Sequence, residues 1–215
     1  MFIEFLFDYL TLCIVHICGI IIWVMYMYYL FISNKPIDMT TFELTLNSVI
    51  EDEFDFVVYD AYSGHIETGF SISTFLKHQL TLINSDLGQS IKILGTPKLD
   101  DLSMYLLKHI LKMNSPYHSL ADAITISLIQ NDEATKQLFL HYFDHVNKEL
   151  IDSILSFVEH GSNVLLVSKL LYIHRNTMNQ RISKFTDITN LDMRDVEHNQ
   201  LVYLYRLLKD NTNLF

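Results

Sequence analysis

Cysteine is almost missing from this chain. Its 215 residues hold two, Cys13 and Cys18, and neither stands at metal-ligand spacing from another Cys or a His. No disulfide framework and no Cys-based metal site follows from such a count. Both thiols fall in an apolar run and are expected to be free. Proline (3) and glycine (6) are also scarce. No Gly-rich phosphate loop and no nucleophile elbow is present. No nucleophile, base and metal set converges, so the chain is not expected to be an enzyme, and no cofactor or metal is implied. Basic residues are in deficit as well, 15 against 25 acids, for a net charge of −10. Such a balance opposes bulk attraction to nucleic acid.

The deficit is unevenly spread. Residues 1–35 carry 2 acids and 1 base, residues 36–149 carry 16 and 7, and residues 150–215 carry 7 and 7. The acidity sits in the middle, and the C-terminal segment is neutral. A neutral segment binds DNA only if its bases gather on one face, more weakly than a basic domain would, and preferably as a dimer. Half of the residues are hydrophobic, which excludes a disordered chain.

The longest apolar run is Leu10 to Ile32, 23 residues without Asp, Glu, Lys or Arg. A helix of that length spans a hydrocarbon layer of about 30 Å. Trp23, Tyr26, Tyr28 and Tyr29 crowd its second half, as aromatic residues do at a membrane interface. The expectation is a transmembrane anchor over 1–35, in the membrane through residues 10–32. The single Lys35 after it places the C-terminal side in the cytoplasm, making a single-pass protein of the cell membrane. A buried core helix is one alternative. Translation from Met39, giving a small cytoplasmic protein, is another.

Residues 36–137 read as a small α/β region turning helical, a sensor or dimerisation region. Helix is expected from Thr41 to Val49 and strand from Asp52 to Tyr59. A turn at Ser63-Gly64 and a return strand from Ile66 to Phe70 follow. Ser71 to Ile83 reads as helix and Ser90 to Leu94 as strand. After Leu99 the three- and four-residue spacing of apolar positions is helical, with helices at Leu120–Ile129 and Thr135–Val146. The acidic run Glu51, Asp52, Glu53, Asp55 reads as a solvated turn. Asp60 and His65 read as ordinary turn chemistry rather than a ligand site. His141 and His145, one helical turn apart with Asp144 beside them, have metal-binding spacing, but no third ligand is evident, so no metal is expected. The fold class is then mainly α: an N-terminal transmembrane helix, a small α/β middle and a helical C-terminal domain.

The C-terminal domain, 138–215, is the most specific part. Leu150, Ile151, Ile154, Leu155, Phe157 and Val158 mark an amphipathic helix, Gly161 suits its left-handed end, and Asn163 caps the next. That helix runs Val164 to Leu171. A tight link at Tyr172-Ile173-His174 leads into a second helix, about Arg175 to Phe185, which is the helix-turn-helix plan. At about 100° per residue, Met178, Ile182 and Phe185 face inward and Asn176, Gln180, Ser183 and Lys184 outward, with Thr177 and Asn179 at the flanks. Amides pair with adenine and Arg with guanine, so His174, Arg175, Asn176, Thr177, Asn179, Gln180, Arg181, Ser183 and Lys184 are the candidate DNA contacts.

Glu159-His160-Gly161-x-Asn163, Ile173-His174-Arg175-Asn176-Thr177, Arg181 and Leu191-Asp192-x-Arg194-Asp195 resemble the C-terminal helix-turn-helix domain of the PucR/CdaR family of bacterial transcriptional regulators. The likeness covers about residues 138–208, with a last apolar helix near Val196–Leu208. It implies a non-enzymatic regulator that binds double-stranded DNA, read here as a homodimer, with no effector that can be carried over. The chain departs from the family at Leu165, Leu166 and Val167, where small residues are usual, and at Asn179 and Gln180, where Arg and Tyr are usual. Those departures keep open a membrane-anchored protein-interaction module whose altered reading helix no longer binds DNA.

Overall fold

The computed structural model describes residues 14–17, 20–23 and 26–212. In chain order the elements are β1 (Ile14–Ile17), β2 (Ile20–Trp23), β3 (Met27–Ile32), α1 (Met39–Val49), β4 (Asp55–Val58), β5 (Ser63–Thr68), α2 (Ser73–Leu87), β6 (Lys92–Thr96), α3 (Asp101–Ile110), β7 (Tyr117–Ser119), α4 (Leu120–Ile129), α5 (Glu133–His141), α6 (Lys148–Glu159), α7 (Val164–Leu170), α8 (Arg175–Thr189) and α9 (Val196–Thr212).

The expected class is corrected. The protein is mixed α/β, not mainly α, and no helix among the described residues is long and apolar enough to cross a membrane. The expected span at 10–32 contains strands instead. β1 pairs antiparallel with β2, and β3 pairs antiparallel with both β5 and β6. The rest of that span, with Cys13 and Cys18, lies outside the described residues. The single-pass placement in the cell membrane therefore loses its helix. The cause is physical: a strand buried on both faces is as continuously apolar as a membrane span, and Ile, Val, Tyr and Phe are strand formers. The aromatic belt has a different role too. Tyr29 Oη accepts from Ile72 N at 2.8 Å. Tyr28 Oη donates to Glu67 Oε1 at 3.4 Å, and burial, with the Glu67 charge beside it, pushes its hydroxyl up to about 12.

The sheet order is β4-β5-β3-β6-β7. With the chain order β-α-β-β-α-β from β3 to β6, this is the ferredoxin-like split arrangement, extended by β7 at one edge. Alternation along β3 sends Tyr29 and Phe31 to the side where Ile66, Phe42, Leu46, Leu76 and Leu80 form the core. Phe31 stacks on Phe56 at 5.1 Å and meets Phe42 edge-on at 5.3 Å. Gly64 passes so close that a Cβ there would lie 2.2 Å from Val57 O and 2.5 Å from Phe31 Cζ. Asp38 opens α1 by accepting from Thr41 N at 3.1 Å and Thr41 Oγ1 at 2.7 Å. A chain begun at Met39 would lack β3, the strand in the middle of this sheet.

Several local expectations shift. The β4–β5 turn lies at Asp60–Tyr62, where Asp60 Oδ1 accepts from Tyr62 N and Ser63 Oγ, and Ser63-Gly64 is already strand. His65 sits on β5, is 6% exposed and contacts Tyr59 Oη through Nδ1 at 2.7 Å. β7 was not expected at all, because three residues carry too little pattern to register. The described residues gather into two compact units. One runs to Leu99 and includes Leu111–Tyr117, and the other takes Asp100–Ile110 and everything from His118.

Candidate nucleic-acid interface

The helical unit is built around α6, α8 and α9. Asn147 caps α6 through Oδ1 to Leu150 N at 2.9 Å, and Ile151, Ile154 and Phe157 are buried along one face. The helix ends at Gly161, with φ at +65°. Asn163 Oδ1 then accepts from Leu166 N at 3.0 Å and opens α7, as expected from the sequence. The link to α8 turns through Tyr172, whose φ of +54° is left-handed and whose side chain is 95% exposed. His174 Nδ1 accepts from Asn176 N at 3.2 Å and caps α8.

The two faces of α8 divide much as the spacing required. Met178 and Phe185 are fully buried, and Ile182 is half-buried. Arg175, Asn176, Asn179, Gln180, Ser183 and Lys184 are exposed, and Thr177 is half-buried. The structure therefore brings the expected outward residues onto one accessible stripe of a single helix, beginning at its amide-rich N-terminus.

Arg181 is placed differently. It turns back to α6, where Nη1 donates to Ser153 Oγ at 2.6 Å and Nη2 pairs with Glu149. Ser153 is itself buried and donates to Glu149 O at 2.7 Å. The residue expected as a contact of the reading helix is a tie between α8 and α6.

The far end of α8 is fixed by residues before α6. Tyr142 Oη donates to Thr189 O at 2.5 Å, and burial holds its hydroxyl above the ordinary tyrosine range. Phe143 stacks on Phe185 at 6.3 Å and meets Tyr205 at a tilt at 4.4 Å. Asn190 takes the left-handed position that closes the helix, with φ at +56°. Beyond it, Leu191 and Met193 are buried. The Arg194 guanidinium clasps Asp192 through Nε at 2.9 Å and Nη2 at 2.6 Å, holding that carboxyl below its usual range. Asp195 Oδ1 accepts from Glu197 N at 2.7 Å at the start of α9.

Much of the motif that carried the resemblance is thus structural. Glu159 pairs with Arg206 of α9, Gly161 and Asn163 shape the α6–α7 turn, and Leu191-Asp192-x-Arg194-Asp195 clips α8 to α9. Only His174-Arg175-Asn176-Thr177 leads onto the outward stripe.

Two features were not anticipated from sequence. From His160 to Thr186 there is no Asp or Glu, while Lys169, Arg175 and Lys184 are exposed, and among the described residues none of the three is in an ion pair. A count of charges over α7 and α8 alone would have found this within the neutral segment. The other is apolar: Leu165 (60%), Leu166 (42%), Leu170 (47%) and Tyr172 stand exposed on α7 and its link. Among the described residues no group of three His, Cys, Asp or Glu could hold a metal; His141 Nδ1 contacts Asp144 Oδ2 at 2.7 Å.

Comparison with known proteins fits this geometry. Residues 150–206 match the PucR C-terminal helix-turn-helix domain. The DNA-binding transcriptional activator AdeR of Bacillus subtilis (strain 168) is 36% identical over 61 residues, which are 28% of this chain and 14% of AdeR. The uncharacterized protein YxkF of the same organism is 34% identical over 64 residues, 30% of this chain and 22% of YxkF. The likeness thus spans less than a quarter of either relative. A solved structure of a regulator of polyketide synthase expression from Bifidobacterium adolescentis aligns over 86% of this chain and 80% of its own, at 8% identity and a TM-score of 0.44. The segment from Leu150 to Arg206 is a PucR C-terminal helix-turn-helix domain.

Proposed function

We propose that the chain is a DNA-binding transcriptional regulator that reads the major groove with α8. The observation that carries this is the exposed stripe Asn176, Asn179, Gln180, Ser183, Lys184 on a helix led by Arg175, within a stretch free of acidic residues. Amides on such a stripe suit adenine edges, and Arg175 and Lys184 suit guanine or phosphate. The positive end of the α8 dipole adds phosphate affinity. Two copies would read half-sites about one helical turn apart. Residues 36–137 would supply sensing or dimerisation, and the action is not enzymatic. What AdeR is named for supports the reading.

A second reading rests on Leu165, Leu166, Leu170 and Tyr172. Large apolar side chains exposed together suit a protein partner better than phosphate, so a protein-interaction role for this domain is the alternative.

The test is capture of fragmented genomic DNA by the purified full chain, repeated across salt concentrations. Discrete enriched sites, with affinity falling steeply as salt rises, are expected. Exchanging Arg175 and Lys184 for Ala should lower affinity by about tenfold or more and reduce the salt slope by about 2. No enrichment from a folded chain sinks the DNA reading in favour of the interaction role.

A further inference from the structure

Helix α9 buries one face within the helical unit through Leu201, Val202 and Tyr205. Its opposite face is patterned as well. Val196 (68% exposed), Gln200, Tyr203 (45%) and Leu207 (41%) recur at intervals of four, three and four residues. At about 100° per residue the four fall within about 60° of one another. This is the spacing of a two-helix seam, here turned to solvent. Single exposed apolar residues are ordinary, whereas a stripe of them marks an interaction surface. Beside the stripe an open groove of about 480 Å³, walled in part by Ala121 of α4, Val158 of α6 and Leu204 of α9, has room for an aromatic ring.

The stripe is self-complementary. From either end it runs aliphatic, hydrogen-bonding, hydrogen-bonding, aliphatic. Two copies laid antiparallel would set Val196 against Leu207 and the Gln200 amide against the Tyr203 hydroxyl, each twice about one two-fold axis. The charges at the ends select that direction. Glu197 lies in the first turn and Lys209 in the last, while Arg206 is held by Glu159 and Asp210. Antiparallel packing brings unlike charges and unlike dipole ends together, and parallel packing brings like ones.

We propose that α9 is a pairing surface for a second copy of this chain, joined antiparallel through Val196, Gln200, Tyr203 and Leu207. This pairing specifies the two-copy part of the DNA reading but is measured without DNA, so either can fail alone. The seam is about 17 Å long. That is short for a permanent interface, so the pairing is reversible, in the micromolar range.

Sedimentation of the full chain without DNA, from about 1 to 500 µM, should show monomer passing to dimer. Tyr203→Glu alters an exposed position and should keep the natural melting curve. It should weaken pairing by about tenfold or more, since the carboxylate would be stripped of water in the seam. If that variant melts early, Val196→Lys, at the most exposed position of the stripe, takes its place with the same expectation. For direction, Val196→Cys and Leu207→Cys chains are mixed under oxidation and the disulfides identified by peptide mass spectrometry. Bonds between positions 196 and 207 should outnumber bonds between like positions. A chain monomeric throughout that range, pairing unchanged in the folded variant, or an excess of like-position bonds overturns the proposal.

Discussion

Arg181 and Arg175 lie less than two turns apart on α8 and face different tasks. Arg175 is exposed, whereas Arg181 is tied to Ser153 and Glu149 on α6. Arg175→Ala should leave thermal stability unchanged within about 0.5 kcal/mol while weakening DNA binding. Arg181→Ala should cost about 1–2 kcal/mol, because buried Ser153 loses a charged donor. Melting curves beside DNA titrations separate the two. Equal stability of both variants would mean that the α6–α8 tie contributes nothing. Tyr172 is a second test. It pays for its left-handed backbone with no visible packing, since its side chain is almost wholly in solvent. Glycine there should raise stability by up to about 1 kcal/mol, the relief of strain exceeding the added freedom of the unfolded chain. A lower melting temperature would show that the tyrosine ring is in use. His65 titrates below its ordinary range because burial disfavours the imidazolium. Its unfolded form takes up a proton first, so stability should be full above about pH 6.5 and fall as pH drops below it. His65→Gln should flatten melting temperature between about pH 7 and pH 5; an unchanged slope would exonerate His65.

At the scale of elements, what could be read in advance depended on whether a pattern was local. Asp38, Asn163, His174 and Asn190 act within a few residues of themselves. The α6–α7–α8 region was accordingly legible, down to Gly161 in its left-handed turn. The start of α8 and its buried Met178 and Phe185 follow from periodicity alone, although the helix runs on to Thr189. β3 was the opposite case. Its apolar run is set by neighbours 31 to 68 residues away, and hydropathy alone cannot distinguish a strand between two others from a membrane span. The Arg181 tie was not legible for a related reason, since the residue's angle on the helix says nothing of Glu149 reaching from α6. The β4–β5 hairpin carries its own test. Gly64→Ala would press a methyl group into Val57 O and the Phe31 ring. A loss of about 2–4 kcal/mol is expected, as for overpacking against backbone, measured by chemical denaturation. A change below about 0.5 kcal/mol would mean that β4 yields easily.

Across the whole molecule, the charge that seemed to argue against nucleic acid is a property of another region. The acids concentrate in residues 36–149, and the stretch His160–Thr186 has none. Net charge is therefore a poor guide to what any one surface attracts. Expression of the chain from Met39 should give no cooperative unfolding of the sheet, because the missing strand is paired on both sides. A cooperative, far-ultraviolet-matched melt from that shorter chain would overturn the placement of β3.

The match to the PucR helix-turn-helix domain begins at Leu150, yet Tyr142 and Phe143 precede it and hold α8 by its Thr189 carbonyl and Phe185 ring. A gene fragment cut at the edge of the recognisable motif would thus carry the lettering of the reader without its hinge pin. Grafting experiments, and natural recombination, would have to carry the preceding turn along for the module to arrive in working order.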